Sequence, residues 1–249
     1  MKLFAILLLL LLLTCPCSAK VIEGMTDHSS GLPPLDAKYR PGARFEDLSP
    51  AKILPPNKWY QIPDWLAGRW QSKQHSLVYQ FNYKTKKQWE AQNRFSYYLA
   101  EERFGKQKDR QGGIWDLPLA PLVNKAASKD WVSYHYITNI EYLYVGDDGM
   151  VMRIRSVVTL VSRVSSEVVS AYQQESISTR LPAGENLLRV RDSIKVYDVE
   201  GNPLRRSKVE AIATRVSPFD ELNERNGLNL KEMFVEFLKS EKKDALIPL

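Results

Sequence analysis

Cysteine is nearly absent: the 249 residues hold two, Cys15 and Cys17, both ahead of Ala19. A product cleaved after Ala19 carries neither thiol nor disulfide, so packing alone must hold it together. Histidine is almost as scarce, with His28, His75 and His135 the full set. None has a second ligand at a recognised metal spacing, so no metal site is expected and no cofactor is implied. Phosphate loops and nucleophile elbows are missing, and no residue stands out as a general acid or base. No apolar run approaches the roughly 20 residues that a spanning helix needs. Asn-x-Ser/Thr occurs in no register, which excludes N-glycosylation. Internal repeats and low-complexity tracts are lacking too, which argues against a solenoid.

The composition is that of a globular domain, 44% hydrophobic and 26% charged. A net charge of +6 comes from basic residues that are scattered rather than clustered. A solvated basic surface is expected, and nucleic acid is not an expected partner. Met1-Lys2, the apolar Leu3 to Leu13 and the small-residue site Cys17-Ser18-Ala19 follow the order of a secretory signal over residues 1–19. Periplasmic or secreted protein is the expectation, with lipidation of Cys15, as in bacterial lipoproteins, and an uncleaved anchor as the alternatives. Residues 20–57 are broken by Pro33-Pro34, Pro41-Gly42, Pro50 and Pro55-Pro56, so no regular element runs through them. They read as a linker or arm, which would lie across the domain through Phe45, Leu48, Ile53 and Leu54.

Residues 58–217 read as an antiparallel β-meander. Leu77, Tyr79, Phe81 and Tyr83 alternate with polar neighbours, the pattern of a half-buried strand. Trp70 has the wrong parity for that face, which requires a bulge before Leu77 or a separate plug at the sheet's end. Trp89 to Phe104 mixes alternation with the helix formers Ala100-Glu101-Glu102 and is read as a strand. Lys106 to Lys129, with Gly112-Gly113, Pro118 and Pro121, reads as a long loop with a hydrophobic tip. Further strands are expected over Asp130–Val145, Met150–Val164, Val168–Thr179, Leu187–Val199 and Leu204–Val216, joined by short turns. Strands of that number and length must close or nearly close to hide their edges, so a barrel is expected. In 218–249 the period changes. Asp220 to Asn226 reads as a helical turn, and Asn229 with Glu232 makes a capping-box-like start for a stripe of Leu230, Met233, Phe234, Phe237 and Leu238. That helix is expected to pack on the barrel.

Gly68-Arg69-Trp70, just before the first long strand, resembles the Gly-x-Trp signature of lipocalins and related calycins. The resemblance rests on this tripeptide and on the strand count. It implies a lipocalin-like barrel closed at one end by the tryptophan, with Trp65, Gly68 and Trp70 in structural roles. It also implies a basic residue of the last strand over the indole, for which Arg205, Arg206 and Arg215 are the candidates.

The candidate ligand-binding residues are Tyr79, Phe81, Phe95, Tyr97, Tyr134, Tyr136, Tyr142 and Tyr172, because such side chains join apolar area to orienting polar groups. The same residues also suit strands through β-propensity alone. Gln173 and Glu175 share a face with Val169, Ala171 and Ile177, which places them inside the barrel or at a strand's solvent end. Two functions lead, ahead of catalysis on unidentified residues of a calycin-like barrel. One is a non-catalytic exported barrel that binds a small apolar or lipid-like ligand. The other is a cell-envelope interaction or assembly protein whose barrel is filled by its own side chains and whose partner is an envelope protein. On the export reading, mass spectrometry of the purified protein should find Lys20 at the N-terminus without lipid; an acylated Cys15 would place it on a membrane instead.

Overall fold

A computed structural model of the chain describes residues 27–45, 57–90 and 94–248. The signal expected over 1–19, Cys15, and the arm residues Leu48, Ile53 and Leu54 lie outside the described residues. The chain enters at β1 (Tyr60–Ile62) and passes through β2 (Gly68–Asn82), β3 (Gln88–Trp89), β4 (Arg94–Phe104), β5 (Gln107–Lys108) and β6 (Ile114–Asp116). It continues through β7 (Leu122–Ala127), β8 (Trp131–Gly146), β9 (Gly149–Ser162), β10 (Val168–Pro182), β11 (Leu187–Tyr197) and β12 (Pro203–Ser217). The hairpin β13 (Glu224–Arg225) and β14 (Leu228–Asn229) then leads into the helix α1 (Leu230–Ser240).

The main sheet is antiparallel and nine-stranded, in the order β3-β2-β12-β11-β10-β9-β8-β7, with β4 also paired to β2. From β8 to β12 it is the expected meander, because each turn is short enough to force the next strand beside the last, and β7, in the stretch expected to be a loop, adds one more strand to it. Closure is not seen among the described residues: β4 and β7 pair on one side only. A second small sheet, β1-β6-β5, stands beside β8, with the Tyr60 and Tyr142 rings 5.0 Å apart. The stretch expected to be a long loop therefore holds three short strands. Its Gly112-Gly113 is the tip of the β5–β6 hairpin, and Ile114, Trp115 and Leu117 are buried.

Residues opposite one another in an antiparallel pair share a face, so the register sorts the side chains. One face, the plug face, carries Trp70, Met150, Met152, Leu188, Val190, Ala211 and Ala213 in a single core cluster with Leu66 and Phe104. Trp70 is 1% exposed. Its Nε1 donates to the Leu66 carbonyl at 2.8 Å, and the Arg215 guanidinium lies over its ring at 4.8 Å. Arg215 Nη2 in turn donates to the Trp65 carbonyl at 2.6 Å. Of the three candidate arginines, Arg215 is the one placed on the indole. Gly68 makes this approach possible: its φ is +130°, and a Cβ there would stand 2.6 Å from the Ser217 carbonyl oxygen. The parity question resolves both ways, since Trp70 belongs to the plug and a register shift between Ser72 and Gln74 also breaks the alternation.

Beyond β12, the expected helical turn over Asp220–Asn226 is instead the β13–β14 hairpin. Asn226 and Gly227 take φ of +53° and +77°, the two-residue Asn-Gly turn that suits a hairpin. The Asn229 side chain accepts from the Glu232 amide at 3.0 Å and starts α1. Leu230, Phe234, Phe237 and Leu238 bury against Trp59, Trp115, Leu117 and Leu119, joined by Leu246 and Ile247 near the end of the chain. Helix and small sheet thus form a second core. Truncating the plug indole with Trp70→Ala should cost roughly 3–5 kcal/mol, measured by urea unfolding. A variant that unfolds like the wild type would show that the plug does not hold the sheet.

Candidate functional site

The plug face turns polar beyond its apolar cluster. Arg180 is buried, and it donates to both oxygens of Glu102 on β4, at 2.5 and 2.9 Å, and to Asp192 on β11 at 2.9 Å. Burial opposes charge on Arg180, but the two carboxylates outweigh it and hold the guanidinium charged. Beside it, Ser72 Oγ lies 2.9 Å from His75 Nε2, and the Tyr98 ring stacks on His75 at 3.9 Å. Burial pushes the His75 imidazole down, against opposing contributions from Asp192 and Glu102. The group joins edge strand β4 to β10 and β11 through space, and its charges satisfy one another. Nearer the small sheet, Asp116 accepts from Lys106, Tyr142 and the Gly105 amide. Burial first, then Asp116, drives the Tyr142 hydroxyl well above its ordinary range.

The opposite face is crossed by residues 27–45 and is here called the arm face. Leu35 packs with Tyr136 and Val157; the Phe45 ring lies 4.3 Å from Tyr134, and the Tyr39 ring 5.6 Å from Tyr136. Backbone bonds fix the path: the Leu32 amide donates to Gly201, Leu35 to Val199, Gly42 to Val168 and Phe45 to Ser166. Gly201 has a φ of +85°, and a Cβ there would fall 1.8 Å from the Leu32 carbonyl oxygen, so only glycine lets the arm pass. Glu175 anchors the start. It has no exposed surface and accepts from the Ser29 amide at 2.7 Å, the Ser29 hydroxyl at 2.9 Å and Arg155 at 3.0 Å, with His28 Nδ1 at 3.4 Å. Burial alone would raise this carboxyl, but the bonds from His28, Ser29 and Arg155 outweigh it and hold it far below the usual carboxylate range. Lys195 and the Tyr197 hydroxyl donate to the Ser29 carbonyl at 2.7 and 2.8 Å.

Further along the arm face, a groove of about 730 Å³ lies between β2 and β12. Val78, Ile212 and Val216 give it apolar walls, while Gln71, Gln74, Lys73, Arg189 and Glu210 supply polar ones. Ile212 is 50% exposed. Exposed aliphatic residues grouped around a concavity have the character of a contact site, unlike singly scattered ones.

The candidate residues named from sequence do not form one cluster. Tyr79 and Phe81 sit opposite Lys208 and Arg206, and Phe95 and Tyr97 opposite Ser76 and Gln74, all on the arm face. Tyr134 and Tyr136 stack together on that face beneath the arm. Tyr142 and Tyr172 pair with Met152 and Val158 on the plug face. Gln173 and Glu175 are neither barrel filling nor a strand's solvent end: both are buried under the arm, where Gln173 donates to the Pro33 carbonyl at 2.8 Å. Sequence reasoning missed Arg180, Glu102 and Asp192, whose only signal is a charge on a buried parity. Among the described residues no cluster of His, Cys, Asp and Glu is able to hold a metal ion. No family model, no curated protein and no solved structure matches the chain.

Glu175 gives the arm a pH dependence. Its carboxyl is depressed in the folded state, so its contribution is present above the unfolded value of about 4.3 and lost as pH falls below it. Hydrogen-exchange protection at the Leu32 and Leu35 amides should therefore fall below about pH 4, ahead of the strand amides, and Glu175→Gln should reproduce this at pH 7. Equal protection of arm and strands across that range would overturn the assignment.

Proposed function

We propose that the protein is an exported, non-catalytic binding module with a lipocalin-like sheet left open on one side, and that it takes a small amphipathic molecule in the β2–β12 groove. The observation that carries this reading is the groove itself: its volume of about 730 Å³ lies within the range of small-molecule sites, and its lining joins exposed Ile212 and Val216 to amide and charged groups. Support for lipocalin kinship comes from Arg215 lying over Trp70 behind Gly68, the arrangement that the tripeptide implies. Support for export comes from the basic, apolar and small-residue order of residues 1–19. A non-catalytic role fits the buried ionisable groups, because Arg180, Glu102 and Asp192 spend their hydrogen bonds on each other.

The second reading, an envelope interaction or assembly protein with a filled interior, is favoured by that same network: Arg180 and its carboxylates occupy the plug face where an enclosed apolar ligand would lie. The two readings separate by experiment. A fluorescent fatty-acid-like probe should bind the purified protein, and Ile212→Arg should weaken it at least about tenfold while leaving stability within about 0.5 kcal/mol, as at other exposed positions. If the probe binds both proteins equally, or neither, the groove is not a ligand site.

A further inference from the structure

We infer that strand β4 is a self-association edge, through which two copies of this chain pair their sheets antiparallel about a two-fold axis at Tyr97. This stands apart from the groove, which uses other strands.

β4 is an 11-residue edge strand whose only partner among the described residues is β2. An unpaired strand edge of that length offers a row of free backbone donors and acceptors, and proteins commonly guard such edges with charge, proline or brevity. The other edge is guarded. β7 has six residues, begins directly after Pro121 and carries Lys125 in its middle. β4 has no such guard between Arg94 and Glu101, where the sequence runs Phe95, Ser96, Tyr97, Tyr98, Leu99 and Ala100. Its arm-face side chains are open to solvent: Phe95 at 43%, Tyr97 at 75% and Leu99 at 56% exposed.

The order of those three side chains selects the partner. Phe95 and Leu99 flank Tyr97 symmetrically, so a two-fold axis through Tyr97 puts Tyr97 opposite Tyr97 and Phe95 opposite Leu99 in both directions. Opposite residues in an antiparallel pair have Cβ atoms about 4.5–5.5 Å apart and share a face, so one apolar row would run unbroken across both copies. On the other face, Arg94 falls opposite Ala100 and diagonal to Glu102 of the second copy, and no like charges meet. The contact is isologous and closes at two copies. A single strand pair is a small interface, so association in the range of about 1–100 µM is expected.

Sedimentation equilibrium of the purified protein tests this. The expected result is a monomer–dimer equilibrium. Tyr97→Lys, which sets two ammonium groups face to face, should raise the dissociation constant at least about tenfold. Ile212→Lys, in the groove, should leave it unchanged. Tyr97→Cys should give a covalent dimer under mild oxidation, with the disulfide mapped between the two substituted positions, because opposite Cα atoms about 4.5–5.5 Å apart suit a disulfide. A protein monomeric up to about 100 µM would overturn the inference. So would a dimer indifferent to Tyr97→Lys with no cross-link at position 97, or open polymers dependent on residues 122–127, which would mean head-to-tail pairing of β4 with β7.

Discussion

A guanidinium laid on an indole holds the two ends of the sheet's path together. Trp70 opens β2 and Arg215 nearly ends β12, so their contact at 4.8 Å fixes where the last long strand returns to the first. A cation–π contact is worth about 0.5–2 kcal/mol, too little alone to direct a fold. Its weight comes from what it forces into register. Gly68 must take positive φ so that Ser217 passes close by, Leu66 must turn its carbonyl to the indole nitrogen, and Trp65 must turn its own to Arg215. Four residues of the anchor and two of the last strand thus satisfy one another.

The buried charges impose a second constraint. Arg180 sits where the plug face leaves its apolar cluster, and a buried cation without partners would cost several kcal/mol. Glu102 and Asp192 come from strands on opposite sides of β2 and β12, so their two ion pairs tie the β4 edge across the face to β10 and β11. Among the described residues the sheet brings β4 within reach of β10 without closing. The cost is interior volume, because the space between those strands is taken by charged side chains.

Much of the framework was legible in the sequence, for physical reasons. Strict alternation with turns at Gly146 to Gly149, Ser165-Ser166 and Pro182 to Gly184 leaves little freedom, and β8 through β12 lie within a few residues of expectation. The cap at Asn229 and the stripe of α1 were equally readable, since both are local. What failed was either a competing local signal or a distant one. Asn226-Gly227 is a hairpin turn whose glycine also suits a helix end, and the stretch Lys106–Lys129 holds β5 and β6, two and three residues long and paired only with β1 or each other, beside the six-residue β7 on β8. The site was the least legible part. Tyr134 and Tyr136 alternate like groove residues, yet they are covered by Phe45 and Tyr39, 89 and 97 residues earlier, in a proline-rich segment with no periodicity of its own.

That covering also explains where surface remains for function. The described part of the arm, residues 27–45, lies on the arm face over β8 to β11, taking up Tyr134, Tyr136, Gln173 and Glu175. Among the described residues, both Ile212 with Val216 and the row Phe95, Tyr97 and Leu99 remain exposed. An apolar side chain left exposed gains nothing for folding, and a whole uncovered row adds a tendency to aggregate. Residues 27–45 cover the other half of the face. Among the described residues the remaining half stays exposed, and a binding surface is the reading under which it has a use.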